Sequence, residues 1–253
     1  MNLGPDRVVE GLRAFGFASR TGVGLPVEAA GFLRDPDSIK RIELATTAYG
    51  QGMTATGIQL VSALAALGNG GERMQTWIVS EIRERSGEVQ MRSRPRSLGR
   101  VVSAETAQKG VAMMESVLEE GGTGTLARVP GYSAAGKTGT SQKVVDGAYS
   151  PTARIGSFIG LVPAESPMLA IVVMVDTPTK GSRYGGVVAG PAFSEIARRS
   201  MRYLGIPEDR PIVRPLAAST SRAKGRSEYV LPPELVWVEG GALRMPNLSG
   251  LSM

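Results

Sequence analysis

Lys137-Thr138-Gly139-Thr140 places an ammonium, two hydroxyls and a residue without a side chain on four consecutive positions, and the small residues Ser133-Ala134-Ala135-Gly136 lead into them. On a regular strand, alternation sends Lys137 and Gly139 to one face and Thr138 and Thr140 to the other, although twist at a strand edge lets several reach one groove. Gly139 leaves the edge unobstructed, so its main-chain groups can pair with an extended peptide as an added strand. An ammonium and hydroxyls suit the carboxylate end of such a peptide. The plain alternative is a solvated lysine guarding a strand edge, with threonines as ordinary β-formers.

The chain has no His and no Cys. That excludes a Ser-His-Asp triad, a Cys-His pair and nearly every structural zinc site, so proton transfer falls to Lys, Tyr, Asp or Glu. Neither a metal nor an organic cofactor is expected. With 29 basic and 23 acidic residues the net charge is +6. The basic residues bunch at Arg83, Arg85, Arg92, Arg94, Arg96 and Arg100 and again from Arg198 to Arg226, without aromatic interleaving that would stack bases. A solvated face is the better reading, and no nucleic-acid partner is expected. Met1 to Asp6 shows neither a basic nor an apolar leader segment, and no apolar run of about 20 residues follows.

The elements that must position the tetrad follow from periodicity and punctuation. Apolar residues from Val8 to Phe17 fall near helical spacing after Pro5, so a helix begins almost at the first residue. Such a start suggests a cut or missing upstream material. Asp37 is expected to cap a short helix through Leu44 and Ala45. Thr54 to Leu67 predicts a helix stopped by Gly68-Asn69-Gly70-Gly71, and Ser103 caps a second one that runs to Gly121-Gly122. Met113 and Met114 on this helix read as core filling. Ile78–Ile82 and Val89–Met91 flank Ser86-Gly87 as a polar hairpin.

Three strands are expected around Tyr132–Val144, Arg154–Val162 and Met168–Asp176, and their short connections imply an antiparallel meander. Leu169 to Val175 is apolar on both faces, which predicts helices on both sides of the sheet. Pro191 to Leu204 supplies the last helix. The fold class is therefore α+β, an antiparallel sheet flanked by helices. Residues 1–205 form the main domain, 206–228 a polar linker, and 229–253 a short separate segment. Four features favour a functional tetrad over a bare triplet: its full length, the small residues before it, the antiparallel partner Ile155–Gly160, and a helix closing the unit.

These residues resemble the C-terminal part of a class B penicillin-binding protein, the peptidoglycan D,D-transpeptidase family, over about residues 5–205. Besides Lys137–Lys143, the resemblance rests on Ala48-Tyr49-Gly50-Gln51-Gly52-Met53-Thr54-Ala55-Thr56-Gly57-Ile58-Gln59-Leu60, and on Tyr184-Gly185-Gly186 followed by Ala189–Phe193. It implies a penicillin-binding protein/serine β-lactamase-like fold, incomplete here, and a site for a stem peptide or β-lactam. Lys137 would polarise the site and attract the substrate carboxylate. The hydroxyls of Thr138 and Thr140 would bind that carboxylate, beside Gly139, and the Thr140 N–H would be one of two oxyanion donors. A nucleophilic serine would attack the D-Ala-D-Ala bond in ping-pong acyl transfer.

The departures matter as much. The family's S-x-x-K appears only as Ser221-Arg222-Ala223-Lys224, in the expected linker, and no S-x-N triplet occurs. So no nucleophile is assigned in this chain, and the missing N-terminal half of the domain is an expected partner, with cell-division or elongation proteins beyond it. The resemblance implies the extracytoplasmic face of the membrane for the parent protein. A non-catalytic binding module, or a β-lactamase or D,D-carboxypeptidase relative, stays open as an alternative. Residues 244–253 resemble the start of a PASTA module, a small domain often appended to such proteins.

Overall fold

The structure, a computed structural model, describes residues 3–210 and the short strands Trp237–Val238 and Ala242–Leu243. Most of the expected linker and the PASTA-like segment therefore lie outside the described residues.

Four consecutive segments build the helical layer and its appendages. Helix α1 spans Gly4–Ala14, with a proline in its first turn, and α2 spans Arg41–Thr47. Glu43 reaches back to the Lys40 N–H at the start of α2, so Asp37 lies in a separate 3-10 turn and does not cap it. Helix α3 runs Gly57–Gly68, closed at its start by a reciprocal pair in which Thr56 Oγ1 accepts from the Gln59 N–H and Gln59 from the Thr56 N–H. Helix α4, Ala104–Glu115, starts on the Ser103 cap and continues as a 3-10 turn over Ser116–Leu118. Between them β1 (Glu72–Met74) pairs with β4 (Ser97–Arg100), a ribbon the sequence reading did not assign.

The expected hairpin forms as β2 (Glu81–Arg83) and β3 (Val89–Arg92), so Ile78 and Val79 precede the pairing. Its turn needs Gly87 at φ 93°. Glu81 lies between Arg83 and Arg92, which hold its carboxyl below the usual range.

The central sheet is a meander of β5 (Ala135–Val145), β6 (Ala148–Val162) and β7 (Leu169–Asp176), in that order and antiparallel throughout. Helix α5 (Gly185–Val188) and helix α6 (Gly190–Tyr203) follow. Alternation along β6 divides the core. Phe158 and Val162 face α6, in a cluster with Phe193, Ala197 and Met201, whereas Leu161 faces Leu64 of α3 and Val111 of α4. The Phe158 and Phe193 rings sit 4.7 Å apart between centroids, tilted by 51°. Burying such a ring contributes on the order of 3 kcal/mol. The helix–sheet–helix layering matches the α+β expectation.

Two expectations change. Met114 packs against the α3–α4 cluster, but Met113 is 69% exposed, because neighbouring positions on a helix point about 100° apart. β7 touches α3 and α6, yet none of its residues is fully buried, since no strand pairs with its far edge among the described residues.

Candidate active site

The tetrad lies on β5, at an edge of the meander, where the pairing with β6 is regular. Lys137 opposes Ile159, Thr138 opposes Phe158, Gly139 opposes Ser157, and Thr140 opposes Gly156. Directly opposed residues share a face. Thr138 and Thr140 therefore lie on the α5–α6 side, and Lys137 and Gly139 on the other. The exposed Lys137 Nζ donates to the Thr138 carbonyl at 2.9 Å, and no carboxylate pairs with it among the described residues. An ammonium without a counterion at a strand edge is free to meet an anion.

A Cβ at position 139 would come within 2.5 Å of Ser157 Oγ, so glycine there leaves the Ser157 hydroxyl its present rotamer. The tetrad's backbone is held to β6 by the regular antiparallel ladder.

Each hydroxyl already has one protein partner. Thr140 Oγ1 accepts from the Gly185 N–H at 3.0 Å. A hydroxyl carries one proton and two acceptor sites, so the Thr140 proton remains available to a ligand. Thr138 Oγ1 lies 3.0 Å from Thr123 Oγ1. Glycines make both approaches possible. A Cβ on Gly185 would fall 2.1 Å from the Gly139 carbonyl oxygen, and one on Gly186 would fall 2.3 Å from that of Thr123. Ser157 lies in the expected antiparallel partner, whereas Thr123 is not expected at the site, because Gly121-Gly122 signals only a helix stop. The available signal was a hydroxyl residue held between glycines, Gly122-Thr123-Gly124.

Behind the tetrad the strand is anchored by the buried Ser133. Its N–H donates to Asp209 Oδ1 at 2.8 Å, its hydroxyl donates to the other carboxylate oxygen, and its Oγ accepts from the Ala164 N–H at 2.9 Å. Further along β5, Lys143 bridges to Asp176 of β7 at 2.8 Å and lowers that carboxyl's pKa.

The edge thus offers an ammonium with no carboxylate partner among the described residues on one face and two hydroxyls, each with one protein partner, on the other. Residues 1–198 match the family model for the penicillin binding protein transpeptidase domain. The chain belongs to this family. It is 40% identical to stage V sporulation protein D of Bacillus subtilis over 252 residues, 99% of this chain and 36% of that protein. With the probable peptidoglycan D,D-transpeptidase PenA of Neisseria flavescens it shares 35% identity over 208 residues, 82% of this chain and 49% of the relative. Among solved structures, penicillin binding protein 3 of Mycobacterium tuberculosis complexed with ampicillin superposes with a TM-score of 0.75 at 34% identity, covering 86% of this chain and 50% of that one. The apo transpeptidase domain of penicillin-binding protein 3 from Burkholderia pseudomallei gives 0.72 at 35% identity, over 82% and 60%. The chain thus spans about a third to a half of the curated relatives it matches.

The observed layers of helices on an antiparallel sheet agree with the transpeptidase-domain structures. No helix among the described residues is long and apolar enough to cross a membrane.

Proposed function

We propose that this chain carries the carboxylate-holding edge of a peptidoglycan D,D-transpeptidase, and that the nucleophilic serine comes from residues the sequence does not contain. Lys137 attracts the terminal carboxylate of a D-Ala-D-Ala stem peptide, or that of a β-lactam. Thr138 and Thr140 donate to it. The Thr140 N–H polarises the scissile carbonyl as an oxyanion donor. The serine oxygen then bonds to that carbonyl carbon, and the peptide C–N bond breaks. A base beside the serine, the lysine of the same S-x-x-K motif outside this chain, takes the serine proton and gives it to the departing terminal D-Ala. An amine of a neighbouring strand then bonds to the acyl carbon, the ester C–O bond breaks, and the amine's proton passes through the base to the serine oxygen, which completes the crosslink.

The observation that carries this reading is the pairing of a family match with an edge whose hydroxyl protons and ammonium are uncommitted to protein carboxylates. The open far edge of β7, half-exposed although apolar, supports a further strand from the missing N-terminal half as its partner. The parent protein would work on the extracytoplasmic face, among division or elongation proteins.

Fluorescent penicillin tests this directly. The 253-residue chain alone should give no covalent band on a denaturing gel and no mass increment. The parent polypeptide that includes the upstream serine should be labelled stoichiometrically. An adduct on any serine of the chain alone, Ser221 included, would overturn the assignment. Reversible binding without labelling of the parent would favour a binding module, and rapid turnover of the adduct a hydrolase.

A further inference from the structure

Thr138 is gripped from two sides. Thr123 Oγ1 meets its hydroxyl at 3.0 Å, and the Gly186 backbone closes on its methyl group, which would lie 3.1 Å from a Cβ at that position. Thr123 is itself held by a tight path. The Gly124 N–H donates to the Val117 carbonyl at 2.9 Å, and a Cβ on Gly122 would fall 2.2 Å from that same oxygen. A Cβ on Gly124 would fall 2.9 Å from Phe158 Cε2 in the core, so small residues on both sides of Thr123 let the loop after α4 follow this course.

A carboxylate accepts hydrogen bonds and cannot donate. When one sits against Thr138, the Thr138 proton must go to it, and any further bond at the Thr138 oxygen must then be one it accepts. Thr123 is the hydroxyl in place to give it. We propose that Thr123 is a positioning residue for the transpeptidase site, which donates to Thr138 Oγ1 and so fixes the Thr138 hydroxyl as a donor toward the substrate carboxylate. The Gly185 N–H does the same for Thr140. The two ligand-facing hydroxyls are thus oriented by different loops, one after α4 and one before α5. This rests on the transpeptidase reading above.

The test is a cycle of variants in the parent polypeptide, read as the second-order rate constant of acylation by penicillin. Thr123→Val keeps the shape and removes the donor, and should slow acylation about 5- to 10-fold. Thr123→Ser restores the hydroxyl and should stay within about twofold of the wild type. In a Thr138→Val background, Thr123→Val should cost less than about twofold more, because residues acting through one another are non-additive. The thermal midpoint should change little in all four proteins. Equal slowing in both backgrounds, or failure of Thr123→Ser to rescue, would reduce Thr123 to a structural residue and overturn the inference. So would unchanged acylation in Thr123→Val. A wild-type parent that penicillin does not acylate would overturn the transpeptidase reading, and this inference with it.

Discussion

Lys137 owes its place to β5 and its availability to the absence of a carboxylate partner among the described residues. A lysine that only guarded an edge could be removed at little cost. One that holds a substrate carboxylate loses a charge-assisted contact, worth roughly 1.5–3 kcal/mol. In the parent polypeptide, Lys137→Ala should therefore slow penicillin acylation by at least about tenfold while leaving the unfolding midpoint unchanged. Stopped-flow acylation traces and a denaturant titration check both halves, and unchanged kinetics would return Lys137 to the edge-guarding role. Gly185→Ala is the complementary case. Its new methyl would meet the Gly139 and Ser157 carbonyl oxygens, so either the loop or the tetrad must move. Acylation should fall more than for Thr123→Val, and here the midpoint should fall too.

Between residues and the whole fold, the elements show which signals a sequence carries. The α3 helix was legible but its start was not: it is expected from Thr54, yet Thr54 bridges to Phe32 and the cap is Thr56, which pairs with Gln59 within one turn. The role of Gln59 was not legible either, since its amide also donates to the carbonyls of Ser19 and Ala30, about 30 to 40 positions away. The β1–β4 ribbon was missed because three- and four-residue strands leave no measurable alternation. The tetrad itself was legible as four contiguous residues, whereas Thr123 and Gly185 reach it only through folding.

One such closure has a pH signature. Glu28 accepts from the Thr21 hydroxyl and N–H and from the Gly22 N–H, and these bonds, the Thr21 hydroxyl foremost, lower its pKa from 4.5 against the opposing effect of desolvation. A depressed folded-state pKa means that its contribution to stability is complete above the unfolded value and is lost as pH falls through the folded one. Asp176, Glu81 and Glu195 share this direction, so the wild type should weaken on acidification for several reasons at once. Glu28→Gln should be less stable than the wild type near neutrality, and the gap should close below pH 4.5. Urea titrations across pH 3 to 7 measure that gap, and a constant difference would show that Glu28 acts by packing alone.

At the scale of the molecule, one sheet carries two cores and presents the tetrad on its edge, and the segment after α6 closes over the base of that edge. The sequence reading placed a linker boundary at residue 206, yet Ile206 to Arg210 is tied down. The Tyr132 hydroxyl donates to the Ile206 carbonyl at 2.8 Å, the Arg210 N–H donates to the Gly131 carbonyl at 3.1 Å, and Asp209 takes both donors of Ser133. Prolines and charged residues mark a linker by composition, and composition cannot register a carboxylate that meets a buried serine 76 positions away. Ser133 is only four residues before Lys137, so the clasp should steady the tetrad as well as the fold. Asp209→Ala leaves the Ser133 N–H unpartnered in a site that is 1% exposed and should cost about 1–3 kcal/mol of unfolding free energy. Because the lost bonds lie at the start of β5, amide exchange should accelerate at residues 135–140 more than in α3, whose contacts with the clasp are indirect. Asp209→Asn, which still accepts one bond, should fall between the two. Equal acceleration throughout the sheet and α3 would mean that the clasp contributes only to global stability and holds no special grip on the tetrad.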